Sequence, residues 1–192
     1  MPNSRASKEP AYLNSFSKEI LVCCPNCGKK ANVTGAPNKE FRCSNCFTPI
    51  DESRWYGLVN IFVNTGCGQC GVRISKRISG SKLQPSQLDV TCNACGTTRS
   101  YPTSIRRIFA DSTNAVDPWF GLPLWLTETV GSNVFWAYNY EHLAHLKQFV
   151  SAKLREKSND PRLSYTEKLP AFITTAKNRD RILKAISRLE RK

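Results

Sequence analysis

Four Cys-x-x-Cys pairs between residues 24 and 95 constrain this chain more than anything else in it. They are Cys24/Cys27, Cys43/Cys46, Cys67/Cys70 and Cys92/Cys95. They fall into two consecutive units, each made of a pair, a segment of hairpin length and a second pair. Two thiolates separated by two residues can face one ion from a single tight loop whose amides point back at the sulfurs. Four thiolates so presented make a closed tetrahedral zinc site. A glycine after the second cysteine supplies the positive φ needed to leave the loop. Gly28, Gly71 and Gly96 stand there, and Phe47 stands in that place in the remaining pair. The expectation is two Zn2+ ions, one per set of four cysteines.

Cys24-Pro25-Asn26-Cys27-Gly28 with Cys43-Ser44-Asn45-Cys46, and Cys67-Gly68-Gln69-Cys70-Gly71 with Cys92-Asn93-Ala94-Cys95-Gly96, each resemble a zinc ribbon. That resemblance implies knuckles at the tips of β-hairpins with the metal closed between them. It covers about the middle third of the chain. Zinc ribbons serve unrelated functions, so it implies fold and metal and leaves the activity open. The carboxy-terminal half is faintly similar to small bacterial zinc-ribbon proteins without an assigned role.

Nine cysteines is an odd number, and the pairs are too regular for a disulfide framework. The leftover thiol, Cys23, reads as a buried, inert one. The amino terminus lacks a basic-then-apolar signal pattern, and the apolar runs, such as Leu58 to Val63, are too short to span a bilayer. Metal-spaced cysteines without a secretion signal point to a cytoplasmic, reducing compartment and no membrane role. The formal net charge of +13 is unevenly spread. Glu52 to Ala110 and Pro161 to Lys192 are basic, whereas Asp111 to Asp160 is slightly acidic. Separated basic blocks favour a polyanionic partner, nucleic acid first.

In chain order, the pattern predicts a flexible lead over 1–19 and zinc ribbon one over 20–51. Ribbon two with its leading strand follows over 52–110, then a linker over 111–118 and a ββα module with carboxy-terminal helices over 119–192. The fold class is α+β: two small β ribbons, a hairpin/helix module and a basic amphipathic last helix. The aromatics of Ser53 to Asn64 read as packing groups, because small metal domains have little else apolar to bury. Gly131-Ser132 reads as a two-residue hairpin turn between Leu122–Glu128 and Asn133–Tyr138. Asn139 caps a helix running to about Lys157, with Leu143, Leu146, Val150 and Leu154 as its buried stripe. His142 and His145, one turn apart on it, read as surface or partner-contact residues and not as a third metal site. Asn159-Asp160-Pro161 ends that helix, and Ser164 with Glu167 starts a short one.

The last helix, over about Ala176 to Arg191, carries Ile182, Ala185, Ile186 and Leu189 on one face. Lys177, Arg181, Lys184 and Arg188 line the other. With Arg73, Lys76, Arg77 and Arg99 of ribbon two, these are the candidate nucleic-acid contacts. No phosphate loop, nucleophile elbow or carboxylate pair is present, and a closed four-thiolate site has no open position for substrate. The expectation is therefore a non-enzymatic accessory protein that binds DNA or RNA. The alternative is an adaptor docked on a larger protein complex.

Overall fold

A computed structural model describes residues 12–35, 37–152 and 169–192. Expectations for 1–11, for 153–157 with Leu154, for the break at Pro161 and for the helix started at Ser164 lie outside these residues. The elements are a 3-10 turn (Leu13–Phe16), β1 (Glu19–Cys23), β2 (Lys30–Thr34), β3 (Glu40–Arg42), β4 (Val59–Gly66), β5 (Arg73–Ser81), β6 (Gln87–Thr91), β7 (Thr98–Pro102), β8 (Ser104–Arg107), β9 (Leu126–Val130) and β10 (Asn133–Ala137). Helix α1 (Tyr140–Ser151), helix α2 (Ala171–Thr174), a second 3-10 turn (Ala176–Asn178) and helix α3 (Arg179–Leu189) follow among the described residues. The class is α+β, with small antiparallel sheets and a carboxy-terminal helix. No described helix is long and apolar enough to cross a membrane.

Two compact units form. One joins the described residues up to Arg54 to the described residues from Ala110 onward, and the other is Trp55–Phe109. The first ribbon and the carboxy-terminal module are therefore one body, where the sequence pattern implied separate pieces. The reason is visible in β1. A three-stranded sheet of order β1-β2-β3 cannot bury Ile20, Leu21 and Val22 by itself, yet all three are buried. They are covered by the segment around Leu124, to which β1 is also hydrogen-bonded. Leu21 N donates to Tyr138 O at 2.7 Å, Cys23 N to Pro123 O at 2.8 Å, and Trp125 N to Leu21 O at 2.9 Å.

Residues 111–118, expected to be a linker, are built into this unit. Ser112 O accepts from Val134 N and Ala115 O from Leu124 N. The buried Asp117 carboxylate accepts the amides of Trp119, Phe120 and Leu122 at 2.6–2.9 Å. A buried anion is tolerable only when so many donors replace its water. The β9–β10 hairpin turns at Gly131-Ser132 as expected, with Val130 opposite Asn133 and Gly131 at φ 64°.

Asn139 caps α1 by accepting from His142 N at 2.8 Å. Its amide also donates to Phe16 O and Glu19 O, so one side chain ties the helix start to the amino-terminal segment. The helix ends sooner than expected, with Ala152 extended. Leu143, Leu146 and Val150 join Phe135, Leu126, Ile173, Ile182, Ala185, Ile186 and Leu189 in the main core. The apolar face read for the last helix is thus the face that is buried.

His142 departs from its expected surface place. It is fully buried, stacked on Phe16 at 4.8 Å between ring centroids, and accepts Tyr138 N–H at Nδ1 over 3.1 Å. A second ring proton would break that bond at a fully buried ring, and burial lowers the imidazole pKa to about 3. The unfolded chain, with an ordinary histidine near pKa 6.5, binds one proton more between these values. The stability His142 confers is whole above about pH 6.5 and is lost on acidification toward pH 3, at about 1.4 kcal/mol per pH unit within that window. Melting of the metal-loaded protein between about pH 7 and pH 5 will show this slope, and His142→Gln will flatten it by one proton.

The second unit is a pair of small sheets of order β5-β4-β8 and β6-β7. Along β4 the chain alternates, with Val59, Ile61 and Val63 buried and Asn60, Phe62 and Asn64 on the opposite face. The core is slight: Val63, Ile74, Val90 and Tyr101 beside Cys67 and Cys92. Trp55 is buried, as expected of a packing aromatic. Phe62 instead lies on the outer face and is only partly covered.

Candidate metal centres

The two sets of four cysteines form where the spacing placed them. Cys24, Cys27, Cys43 and Cys46 converge in one unit, and Cys67, Cys70, Cys92 and Cys95 in the other. Within each set the four sulfurs lie within 4.8 Å of one another. Cys24–Cys46 and Cys27–Cys43 approach to 3.6 Å, and Cys67–Cys95 and Cys70–Cys92 to 3.7 Å. Tetrahedral bonds of about 2.3 Å require sulfurs about 3.8 Å apart. Each set therefore fits a single tetrahedral metal ion with all four positions taken by protein.

The knuckles share one backbone device. The amide after the second cysteine donates to the first cysteine's carbonyl: Gly28 N to Cys24 O, Phe47 N to Cys43 O, Gly71 N to Cys67 O and Gly96 N to Cys92 O, all at 2.9–3.1 Å. This bond requires a left-handed residue. The three glycines have φ between 69° and 74°, and Phe47 is forced to 55°, the one non-glycine residue with positive φ among those described. Its ring gains nothing locally in return, being 81% exposed. In the knuckles opening at Cys24, Cys67 and Cys92, a further bond from the first cysteine's amide closes a hairpin. The knuckle at Cys43 follows β3 and leads into loop, so the first ribbon is only half of a paired-hairpin ribbon.

Amides aimed at the sulfurs favour thiolate, the form a metal needs, at Cys67 and Cys46, whereas burial and neighbouring thiols push Cys24 up to about 11 and Cys70 to about 12. The Cys70 and Gln69 amides draw the Cys67 thiol down to about 6. The Thr48 hydroxyl and amide do the same for Cys46, also to about 6. Arg99 supports this centre from outside. It donates to Gln69 Oε1 at 3.0 Å and Gly68 O at 3.4 Å, gripping the loop between Cys67 and Cys70. The Tyr101 hydroxyl accepts Gly68 N–H at 3.3 Å. Cys23 stands apart from the quartets, half-buried, with its thiol directed at Leu124 O and its pKa raised by burial. No described histidine joins a metal-holding cluster.

The candidate nucleic-acid residues separate on the structure. Arg73 and Arg77 share the outer face of the β5-β4-β8 sheet, opposite Gly66 and Phe62. Lys76, opposite Val63, belongs to the other side, and Arg99 is occupied at the knuckle. Arg106, opposite Asn60 on β8, joins the Arg73 face. Asn60 and Asn64 are absent from the sequence-based candidates and Phe62 is there a packing group, although the period-two alternation of β4 marks all three as facing away from the core. In the other unit, Lys177, Arg181, Lys184 and Arg188 are all exposed. Arg188 is paired with Glu128 at 2.7 Å.

No family model matches the chain, and no curated protein or solved structure matches it either. The likeness to zinc ribbons accordingly rests on the knuckles and their geometry.

The two quartets differ in what depends on them. Two cysteines of each quartet are buried, but the Trp55–Phe109 unit has little other core, so Cys70→Ser is expected to unfold that unit and lower bound metal by one ion per chain. Cys27→Ser is expected to lose the other ion while the α1/α3 core persists, leaving the helical circular dichroism largely intact. Retention of both ions in either variant overturns the ligand assignment. At the strained knuckle, Phe47→Gly is expected to stabilise the first metal centre by about 1 kcal/mol, read as slower metal loss to a chelator.

Proposed function

We propose that the chain is a non-catalytic zinc protein that contacts nucleic acid through the second ribbon and the last helix. Eight thiolates in two closed quartets favour zinc, which holds structure there and has no vacant position for chemistry. Metal analysis checks the ion's identity; an iron site of this ligand type is coloured, and the purified protein is expected to be colourless.

The observation that carries the nucleic-acid reading is a charge imbalance. Residues 55–109 contain Arg73, Lys76, Arg77, Lys82, Arg99, Arg106 and Arg107 against the single carboxylate of Asp89. A unit this small with seven cations and one anion repels itself, and a phosphate backbone relieves the repulsion by releasing its own counterions. The exposed row on the last helix supplies a second cationic strip, in which Lys177, Arg181 and Lys184 have no ion pair among the described residues.

A protein-adaptor role is supported by one specific observation. Phe47 is both strained and 81% exposed, which is how a docking aromatic stands before its partner covers it. A pull-down that returns one stoichiometric protein with wild type, and none with Phe47→Gly, supports this second reading.

Binding of zinc-loaded protein to labelled nucleic acid across a salt series tests the first. Affinity is expected to fall steeply with salt. Ala at Arg181, Lys184 and Arg188 together is expected to weaken binding and to reduce the slope of log K against log salt by about two to three, at about 0.9 per phosphate contact. Absence of binding at low salt removes the nucleic-acid reading, and an unchanged slope in the triple variant removes the helix from it.

A further inference from the structure

On the outer face of the β5-β4-β8 sheet, Phe62 occupies the central strand with a guanidinium from each neighbouring strand against it. Arg77 of β5 lies 5.6 Å and Arg106 of β8 lies 5.1 Å from the ring centroid. Along β4, Asn60 and Asn64 share that face at two-residue spacing, about 7 Å to either side of Phe62. Ser75 and Ser104 lie across from Asn64 and Phe62 on the flanking strands. Arg73 donates to Asn64 Oδ1 at 3.1 Å and extends the cationic row. The unit's only carboxylate, Asp89, is on β6 in the other sheet, where the Ser100 hydroxyl engages it.

The unit's core does not call for this arrangement, since Val59, Ile61 and Val63 fill it from the opposite face. The row combines what an unpaired nucleotide needs: a flat apolar ring, planar cations for phosphate and stacking, and amides for base edges. A duplex offers such a surface only phosphates, because its bases are stacked on each other, and the ring would face no partner.

We propose that this sheet face binds single-stranded nucleic acid, with one base stacked at Phe62 between Arg77 and Arg106. The amide nitrogens of Asn60 and Asn64 donate to the edges of that base or its neighbours, the Asn60 oxygen being buried and the Asn64 oxygen held by Arg73. Arg73 and the two flanking arginines neutralise phosphates. This rests on the nucleic-acid reading above and assigns it a strand form and a surface.

The test compares zinc-loaded full-length protein binding to a labelled oligothymidylate, an oligouridylate and a duplex of equal length. Phe62→Leu keeps apolar bulk and removes the aromatic face. It is expected to weaken single-strand binding about tenfold, leaving duplex binding and the salt slope unchanged, because no charge is altered. Phe62→Trp is expected to restore single-strand binding. Arg77→Gln with Arg106→Gln, both exposed, is expected to lower affinity and slope together. Two zinc ions per chain and unchanged melting serve as the folding control. If Phe62→Leu and the arginine pair bind single strands as wild type does, or wild type prefers the duplex, the proposal is overturned while general nucleic-acid binding stands. Should Phe62→Leu fail to fold, an arginine pair that leaves single-strand affinity unmoved overturns the proposal by itself. If wild type binds no nucleic acid in any form, both readings fall.

Discussion

Convergence of four sulfurs is the constraint on which the rest of the Trp55–Phe109 unit depends. A unit of this size buries too little apolar surface to offset its conformational entropy comfortably. Here the buried residues include two of the ligands themselves, so metal site and hydrophobic core are one object. The β4–β5 and β6–β7 hairpins meet where Cys67 and Cys70 at one tip reach Cys92 and Cys95 at the other, and the Gly68–Tyr101 and Gln69–Arg99 hydrogen bonds join them there. Closing that contact frees the outer sheet face from any packing duty, which is why polar, cationic and aromatic groups can occupy it together.

The other unit distributes its stability differently. Its helices and the β9–β10 hairpin enclose a conventional apolar core to which, among the described residues, the first ribbon contributes only Leu21. The ribbon is attached through backbone bonds from β1, through the Asn139 amide, and through the coverage of Ile20 and Val22. Two quartets with like sulfur spacing therefore hold unequal shares of their surroundings. Phe47 fits this contrast: a knuckle backed by a larger body tolerates a residue whose backbone is strained.

Much of this was legible in the residues. The Cys-x-x-Cys spacing named all eight converging sulfurs, Gly131-Ser132 located a turn, and Asn139 located a cap, because each is a local rule with a steric or hydrogen-bonding cause. The buried face of the last helix followed from its period. What escaped was non-local. Nothing in the spacing of His142 and His145 reveals that Phe16 stacks on one of them from over a hundred residues away. The polarity of Asp111 to Pro118 resembles a linker, and only the amides of Trp119, Phe120 and Leu122 explain why Asp117 is buried. Phe62 was misjudged for another reason. Composition says aromatics in small domains pack, while strand alternation, which is local and was available, says this one faces outward.

The route of the chain through its two bodies has a consequence for how the protein is made. Strand β1 reaches its partners near Leu124 and Tyr138 only after everything between has been synthesised, whereas residues 55–109 are contiguous and need nothing from either side to close their quartet. On an emerging chain the inserted unit can load its metal and fold while the first ribbon still waits for its second half. Domains that fold as units during synthesis leave such split hosts exposed longest. The apolar strip Ile20-Leu21-Val22 is then the segment that waits longest for its cover, because that cover comes from residues about a hundred positions later.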